Sequence, residues 1–373
     1  MNIDEELKPL RAQIDEIDAQ IVELLNRRAE VVKKVGAVKG STNAPVYRPD
    51  REAEVLRKVW AQSKGAMTEK GISSIFKEIM SACRALEHKA RVAYLGPQGT
   101  FSELAMLRQF GAGVDGIACE RIDDVFHAVE AGSADYGIVP IENSTEGAVN
   151  RSMDCLQLTN LTIIAETSIP INHNLLTTSG CMDGVKRVYS HPQSLGQCVS
   201  WLNRHYPQLE RVPAASNGEA ARLASLDPES AAIAGEAAAE HYGLKIAYPS
   251  IQDQSTNRTR FVVLGKEGTS PSKAPGKDKT SLIISVPHKA GALFQALKPL
   301  YDHGVSMTRF ESRPAKRGSW EYFFYVDIEG HCDDPKVRSA LDDFRSSCAS
   351  FKNLGSYPIA NEESGSEDKG TKL

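Results

Sequence analysis

The sequence predicts a multidomain protein: an all-helical module, then a two-lobed α/β module, then a small βαββαβ module. Three observations carry this. The 373 residues exceed what one ordinary hydrophobic core organises. Residues 1–91 show helical periodicity and no strand signal. From residue 92 onward, short apolar runs alternate with turns and helical stretches, the pattern of sheets covered on both faces. Composition is 41% hydrophobic and 25% charged with a net charge of -4, which argues against nucleic-acid and membrane-surface partners. The chain has no run of 18 apolar residues and no apolar signal core near its first residues, so a cytoplasmic location is expected. Seven scattered cysteines without a CxxC give no disulfide framework or structural zinc site.

Residues 4–39 read as one helix, with Leu7, Leu10, Ile14, Ile17, Ile21, Leu24, Val31 and Val35 at spacings of three and four. Such a helix is about 50 Å long and needs partners along its length. Further helices are expected near 50–64 and 68–90, and a helical dimer with shared cores fits better than a monomer. Arg28 and Lys39 lie about 20° apart on one helix face, whereas Arg11 lies roughly 100° away. Arg51 and Glu52 open the second helix. These cations are either solvated charges or a pocket for a ligand with more than one carboxylate.

With Arg11, Arg28, Lys39, Arg51 and Glu52 in place, residues 1–91 resemble the all-helical chorismate mutase domain, an intertwined dimer. The resemblance implies that Arg28, Lys39 and Arg51 bind the dicarboxylate chorismate, that Arg11 comes from the partner chain, and that Glu52 binds the ring hydroxyl. The reaction is a unimolecular rearrangement to prephenate, without nucleophile or cofactor. Lys39 would donate to the breaking ether oxygen. Glu87, expected on the third helix, stands where some relatives carry glutamine; it donates only when protonated. Arg48 stands where one branch has an aspartate.

In the α/β module, strands are expected near 92–95, 136–139, 161–167, 186–189, 231–234 and 261–264, and helices at 101–110, 123–131, 193–205 and 217–226. The segment has no GxSxG and no GxxxxGK[ST], so hydrolase-elbow and P-loop chemistry lose support. "LGPQGTFS" offers backbone and hydroxyl donors at a helix start, a seat for an anion. "PIENSTEG" supplies Asn143, Ser144 and Thr145; "YSHPQS" supplies Ser190, His191 and Gln193; "NRTRF" supplies Thr259 and Arg260. Loops after strands are where α/β layers bind ligands. Together these read as a carboxylate-binding cleft, and a solute-binding protein is the rival reading.

The set "YLGPQGTFS", "VPIENSTEG", "SHPQ" and "NxTRF", in that order, resembles prephenate dehydratase across residues 92–265. The resemblance implies one lobe from about 92–165 plus 248–265, a second from 166–247, and a cleft between them. Prephenate would lose water and carbon dioxide to give phenylpyruvate. Thr259 would serve the leaving hydroxyl and Arg260 would clamp a substrate carboxylate. Asn143, Ser144, Thr145, Ser190 and Gln193 would bind the remainder, with His191 as proton source or loop-ordering partner.

Residues 266–279 are linker-like, rich in lysine, glycine, proline and serine. Strand, helix, strand, strand, helix, strand then follow over 280–360, a ferredoxin-like order. "GAL" at Gly291, Ala292 and Leu293, and "ESRP" at Glu311, Ser312, Arg313 and Pro314, the latter expected as a turn, resemble the ACT domain of bifunctional phenylalanine-synthesis enzymes. That implies allosteric inhibition by L-phenylalanine bound between two subunits of a dimer or tetramer; an interface-only domain is the alternative. Residues 361–373 read as a disordered tail. No metal or cofactor is expected, and a nicotinamide-dependent partner activity lacks its fingerprint. The rival for the whole chain is an amino-acid-responsive binding protein with decayed catalytic modules.

Overall fold

A computed structural model describes residues 3–40, 45–269, 278–314 and 322–360; most of the expected linker and the whole tail lie outside these. The helical module is α1 (Ile3–Gly40), α2 (Pro49–Gln62) and α3 (Glu69–Ala85). Acidic Asp4, Glu5 and Glu6 at the start of α1 and Lys39 at its end suit the helix dipole. In the single chain, Leu10, Ile14, Ile17, Leu24 and Val31 along α1 are exposed and form an apolar stripe that no described residue covers. Helix α3 stops at Ala85, short of the expected residue 90, so Glu87 occupies the turn beyond it. That turn rests on α1 at Gly36, where an added Cβ would stand 2.9 Å from Glu87 Cγ.

The chain then runs through β1 (Arg91–Leu95), α4 (Phe101–Phe110), β2 (Asp115–Cys119), α5 (Ile122–Ala131), β3 (Tyr136–Asn143), β4 (Gly147–Ala148), α6 (Asn150–Leu158) and β5 (Thr162–Pro170). A second lobe follows with β6 (Asn174–Thr177), β7 (Arg187–Ser190), α7 (Pro192–Gln197), α8 (Val199–His205), β8 (Glu210–Pro213), α9 (Asn217–Ser225), β9 (Ser230–Ala234), α10 (Glu236–Tyr242) and β10 (Lys245–Tyr248). The return strand β11 (Arg258–Gly265) enters the first sheet between β3 and β5, antiparallel to both. The first sheet has the order β2-β1-β3-β11-β5, with β4 on β3, and the second β10-β6-β9-β7-β8. The single helix expected over 193–205 is broken at Cys198, which leaves helical geometry.

Side chains of β11 alternate between the two faces of the first sheet. Phe261 and Val263 join Val92, Tyr94 and Ile138 beneath α4. Val262 and Leu264 join Val139 and Ile163 on the opposite face, under α5, α6 and the third module. That module comprises β12 (Asp278–Ser285), α11 (Ala292–Asp302), β13 (Met307–Pro314), β14 (Tyr322–Glu329), α12 (Pro335–Ser346) and β15 (Ser350–Pro358), in sheet order β13-β14-β12-β15. Strand β12 starts inside the stretch expected as linker.

The third sheet packs its two helices on one face and lays the other against the first α/β lobe. Ile283, Tyr325, Leu354 and Tyr357 share a core with Val262 and Ile163. The approach is tight at Gly355, whose φ is 137° and whose missing Cβ would fall 2.2 Å from the Ile163 carbonyl oxygen. Only glycine permits this conformation and approach.

The helical module is joined to the same lobe on its other face. Tyr47 is buried with its ring 4.6 Å from Phe110 and 5.5 Å from Tyr136. Gln109 Nε2 donates to its hydroxyl at 2.6 Å.

Candidate active sites

The antiparallel register sets Thr259, second residue of β11, opposite Asn143, the last of β3. Asn143 Nδ2 donates to Thr259 Oγ1 and to Asn257 Oδ1, each at 2.8 Å. Its Oδ1 accepts the backbone N–H groups of Thr145 at 3.0 Å and Glu146 at 3.1 Å. Two amide donors on the oxygen fix which end of the Asn143 side chain faces Thr259. The bond therefore uses a lone pair of Oγ1 and leaves the threonine O–H hydrogen to be given elsewhere. An amide pointing at Oγ1 also favours negative charge developing there.

The network crosses into the second lobe. Asn257 Nδ2 donates to Gln197 Oε1 at 3.0 Å, and His173 Nε2 lies 2.9 Å from the same oxygen. Burial holds the His173 imidazole below its usual range, partly offset by Gln197. A neutral ring donating from Nε2 leaves Nδ1 as an acceptor, and that buried atom has no partner among the described residues. Asn257, the first residue of "NRTRF", thus joins Asn143 and Thr259, and Gln197 and His173 extend the expected site. Their signal was weak because Gln197 and His173 stand outside the four quoted motifs.

Other expected site residues have different surroundings. Ser190 is enclosed within the second lobe, 2.9 Å from the Ile233 carbonyl and 3.0 Å from Asn217 Oδ1. Gln193 is exposed, and its backbone N–H donates to His191 Nδ1 at 3.3 Å. His191 thereby caps α7, and burial lowers its imidazole pKa, which favours the loop-ordering role over proton supply. Ser144 Oγ accepts the Arg258 N–H at 2.9 Å and closes the β3–β11 end; the Thr145 side chain is exposed. The expected anion seat at α4 holds the chain's own carboxylate, with the Gly99 N–H donating to Glu103 Oε2 at 2.6 Å.

Arg260 requires a correction. Its side chain leaves β11 on the face opposite Thr259 and is not a clamp in the cleft. Nε donates to Glu166 Oε2 at 2.7 Å, Nη1 to Asp327 Oδ2 at 2.6 Å and Nη2 to the Tyr357 hydroxyl at 3.1 Å. Asp327 and Tyr357 belong to the third module. Burial opposes the Arg260 charge, yet Tyr357, Asp327 and Glu166 hold its pKa above the ordinary value.

In the helical module, Lys39 Nζ lies 3.5 Å from Glu87 Oε2. Arg28 Nη1 is buried without a partner among the described residues, and the Arg28 charge acts on Glu52. Burial pushes the Glu52 carboxyl pKa up while Arg84, Lys77 and Arg28 pull it down. Arg84 grips Glu52 and also donates to the Phe110 carbonyl at 2.5 Å, linking this pocket to α4. Arg51 is exposed in the single chain, and its guanidinium pairs with Glu54, one helical turn on, at 2.5 Å. Arg48 is held by Asp50 at 2.6 and 3.0 Å. Arg11 is exposed and lies 17 residues, about 25 Å, along α1 from Arg28.

In the third module Gly291 takes a left-handed φ of 76° before α11, with Ala292 buried and Leu293 half-buried. "ESRP" ends strand β13 instead of forming a turn. The registers Ser312–Phe324 and Phe324–Ile284 bring it to the same end of the sheet as the Gly291 loop. Glu311, Ser312 and Pro314 lie on this edge strand, but Arg313 is committed to the α/β lobe. Its guanidinium donates to Asp154 at 2.5 Å and to Asn150.

Known proteins decide what this arrangement is. Residues 10–88 match chorismate mutase type II, residues 92–269 prephenate dehydratase and residues 280–345 the ACT domain. A bifunctional chorismate mutase/prephenate dehydratase of Neisseria gonorrhoeae is 46% identical over 361 residues, covering 96% of this chain and 98% of that one. The chain belongs to the bifunctional chorismate mutase/prephenate dehydratase family. A Pseudomonas aeruginosa relative of the same description is 42% identical over 362 residues, covering 95% and 98% of the two chains. The structure of an Arthrobacter aurescens prephenate dehydratase in complex with L-Phe superposes with a TM-score of 0.67 at 33% identity, over 73% of this chain and 91% of that one.

The family places the helical pocket in the mutase module and the Asn143–Thr259 pair in the dehydratase module. The polarity of that pair gives a prediction. Asn143→Asp replaces the amide donor by a carboxylate that takes the Thr259 hydrogen for itself. Dehydratase kcat should fall by at least about 100-fold while the mutase rate of the same preparation stays level. Both rates are measured by product formation from prephenate and from chorismate.

Proposed function

We propose that the chain carries out two consecutive reactions of phenylalanine synthesis, chorismate to prephenate and prephenate to phenylpyruvate, water and carbon dioxide, and that L-phenylalanine inhibits it through the third module. The observation that carries the dehydratase half is the Thr259 hydroxyl, fixed as an acceptor from Asn143 at 2.8 Å. Its free O–H hydrogen then bonds to the oxygen leaving C4 of prephenate, and one proton taken up from solvent, directly or through that hydroxyl, completes the departing water and leaves Thr259 unchanged. As the C–O bond breaks, the ring carboxylate departs as carbon dioxide and its electron pair completes the aromatic ring. Charge builds on the departing oxygen, where a held donor lowers the barrier most. With Arg260 engaged elsewhere, the substrate carboxylates fall to cleft donors such as the exposed Thr145 and Gln193.

The mutase half requires no group that changes covalently. Arg28, with its unmatched Nη1, takes a chorismate carboxylate, Glu52 takes the ring hydroxyl, and Lys39 donates to the ether oxygen. Arg11 enters from a second copy of the chain. The exposed stripe on α1 and the span between Arg11 and Arg28 both support an intertwined dimer. In the third module, L-phenylalanine binds where the Gly291 loop and the free edge of β13 meet a second copy, a reading supported by the L-Phe complex of the Arthrobacter aurescens protein.

Two measurements check this. Given chorismate without a nicotinamide, the wild-type protein should form phenylpyruvate, and Thr259→Ala should stop at prephenate. Phenylpyruvate at the wild-type rate from Thr259→Ala would remove Thr259 from its role. Arg11→Ala and Arg28→Ala should each abolish mutase turnover. Unfolded and refolded together, they should regain it, because a mixed dimer rebuilds one intact site; no recovery would count against the shared site.

A further inference from the structure

The Asn143–Thr259 pair is built from the ends of two strands, and the immediate neighbours of both residues are held by the regulatory module. Arg260, next to Thr259, is bound by Asp327 of β14 and Tyr357 of β15. Glu142, next to Asn143, lies 3.1 Å from Arg309 Nε of β13 and 3.7 Å from Arg260 Nη1. Strand alternation makes each a lever: the catalytic side chain points into the cleft, and its neighbour points through the sheet to the sensor. Glu166 of β5 completes the cluster. Its carboxylate takes Arg260 Nε, Lys279 Nζ at 3.0 Å and the Ala360 N–H at 3.1 Å. Ser281 Oγ braces the other acid, 2.6 Å from Asp327 Oδ1.

We propose that Arg260 is a positioning residue of the dehydratase site and that Asp327, on the regulatory module, completes it. The reading rests on the assignment of Thr259 above. Arg260 touches neither substrate nor reacting atoms. It sets where the first residues of β11 sit relative to β3, and hence the alignment of the Asn143–Thr259 bond. The same ion pair carries the state of the regulatory sheet to the cleft. Strand β13 would report a bound amino acid through Arg309 to Glu142, and β14 through Asp327 to Arg260.

The test uses the full chain and compares Asp327→Asn, Arg260→Lys and Tyr357→Phe. Asp327→Asn keeps the shape and removes the charge. Dehydratase kcat should fall roughly ten- to hundred-fold, as for a misplaced catalytic group. KM for prephenate should hold within about two-fold, since no substrate contact is lost. The mutase rate should be unchanged, and the L-phenylalanine inhibition curve should flatten. Arg260→Lys should behave alike, because a single ammonium cannot hold Glu166, Asp327 and Tyr357 together. If Asp327→Asn instead loses mutase rate and melting transition together, Tyr357→Phe decides, with a smaller kcat loss expected at normal stability. Wild-type dehydratase kcat and wild-type phenylalanine response in the folded variants would overturn the proposal. Thr259→Ala run alongside separates the two claims: full activity there removes Thr259, whereas an inactive Thr259→Ala with unaffected Asp327→Asn removes only the role of Arg260.

Discussion

A largely enclosed guanidinium between two sheets, Arg260 with its side chain 15% exposed, is the constraint on which the dehydratase and regulatory modules both depend. Ions of this kind lose several kcal/mol of solvation each, and the loss is repaid only where geometry saturates them. Arg260 meets that condition with hydrogen bonds to Glu166, Asp327 and Tyr357, drawn from two modules, and with Glu142 3.7 Å away. Removing one partner strands the rest, at a cost of about 3–5 kcal/mol. The interface is therefore specific in register: the regulatory sheet cannot slide on the α/β lobe without breaking Arg260–Asp327. Gly355 against the Ile163 carbonyl imposes the same register by shape.

The three modules are consequently continuous. The first α/β lobe receives the regulatory sheet on one face and Tyr47 of the helical module on the other. Arg84 binds Glu52 of the mutase pocket and the last carbonyl of α4 at once. Each proposed active site is thereby braced from a neighbouring module. The exposed stripe of α1 remains as the surface through which a second copy would complete the mutase pocket.

Much of this was legible in the sequence. The period of three and four gave α1 almost to the residue, and "TRF" marked β11 and its threonine. Weakly apolar elements such as β2 (Asp115–Cys119) and α6 (Asn150–Leu158) left no periodic signal, because one is mostly exposed and the other short and polar. Arg260 was misread because a cation beside a catalytic hydroxyl suggests a clamp. Alternation along the strand contained the answer, but the partners Asp327 and Tyr357 lie about a hundred residues or fewer away and in another module, where no local pattern reaches. Arg313 differs from expectation likewise: residue type gave the charge, and tertiary neighbours decided where it went. Glu87 was found in a turn and not on a helix because α3 ends early against α1 at Gly36.

The central claim is that Arg260 and Asp327 act on the dehydratase cleft as one unit. A double-mutant cycle joining Arg260→Gln and Asp327→Asn, read on dehydratase kcat with the mutase rate as the internal standard, tests it most directly. The double variant should be little worse than either single one, giving a coupling of at least about 1 kcal/mol between them. Strictly additive losses, or no loss in any of the three variants, would contradict it.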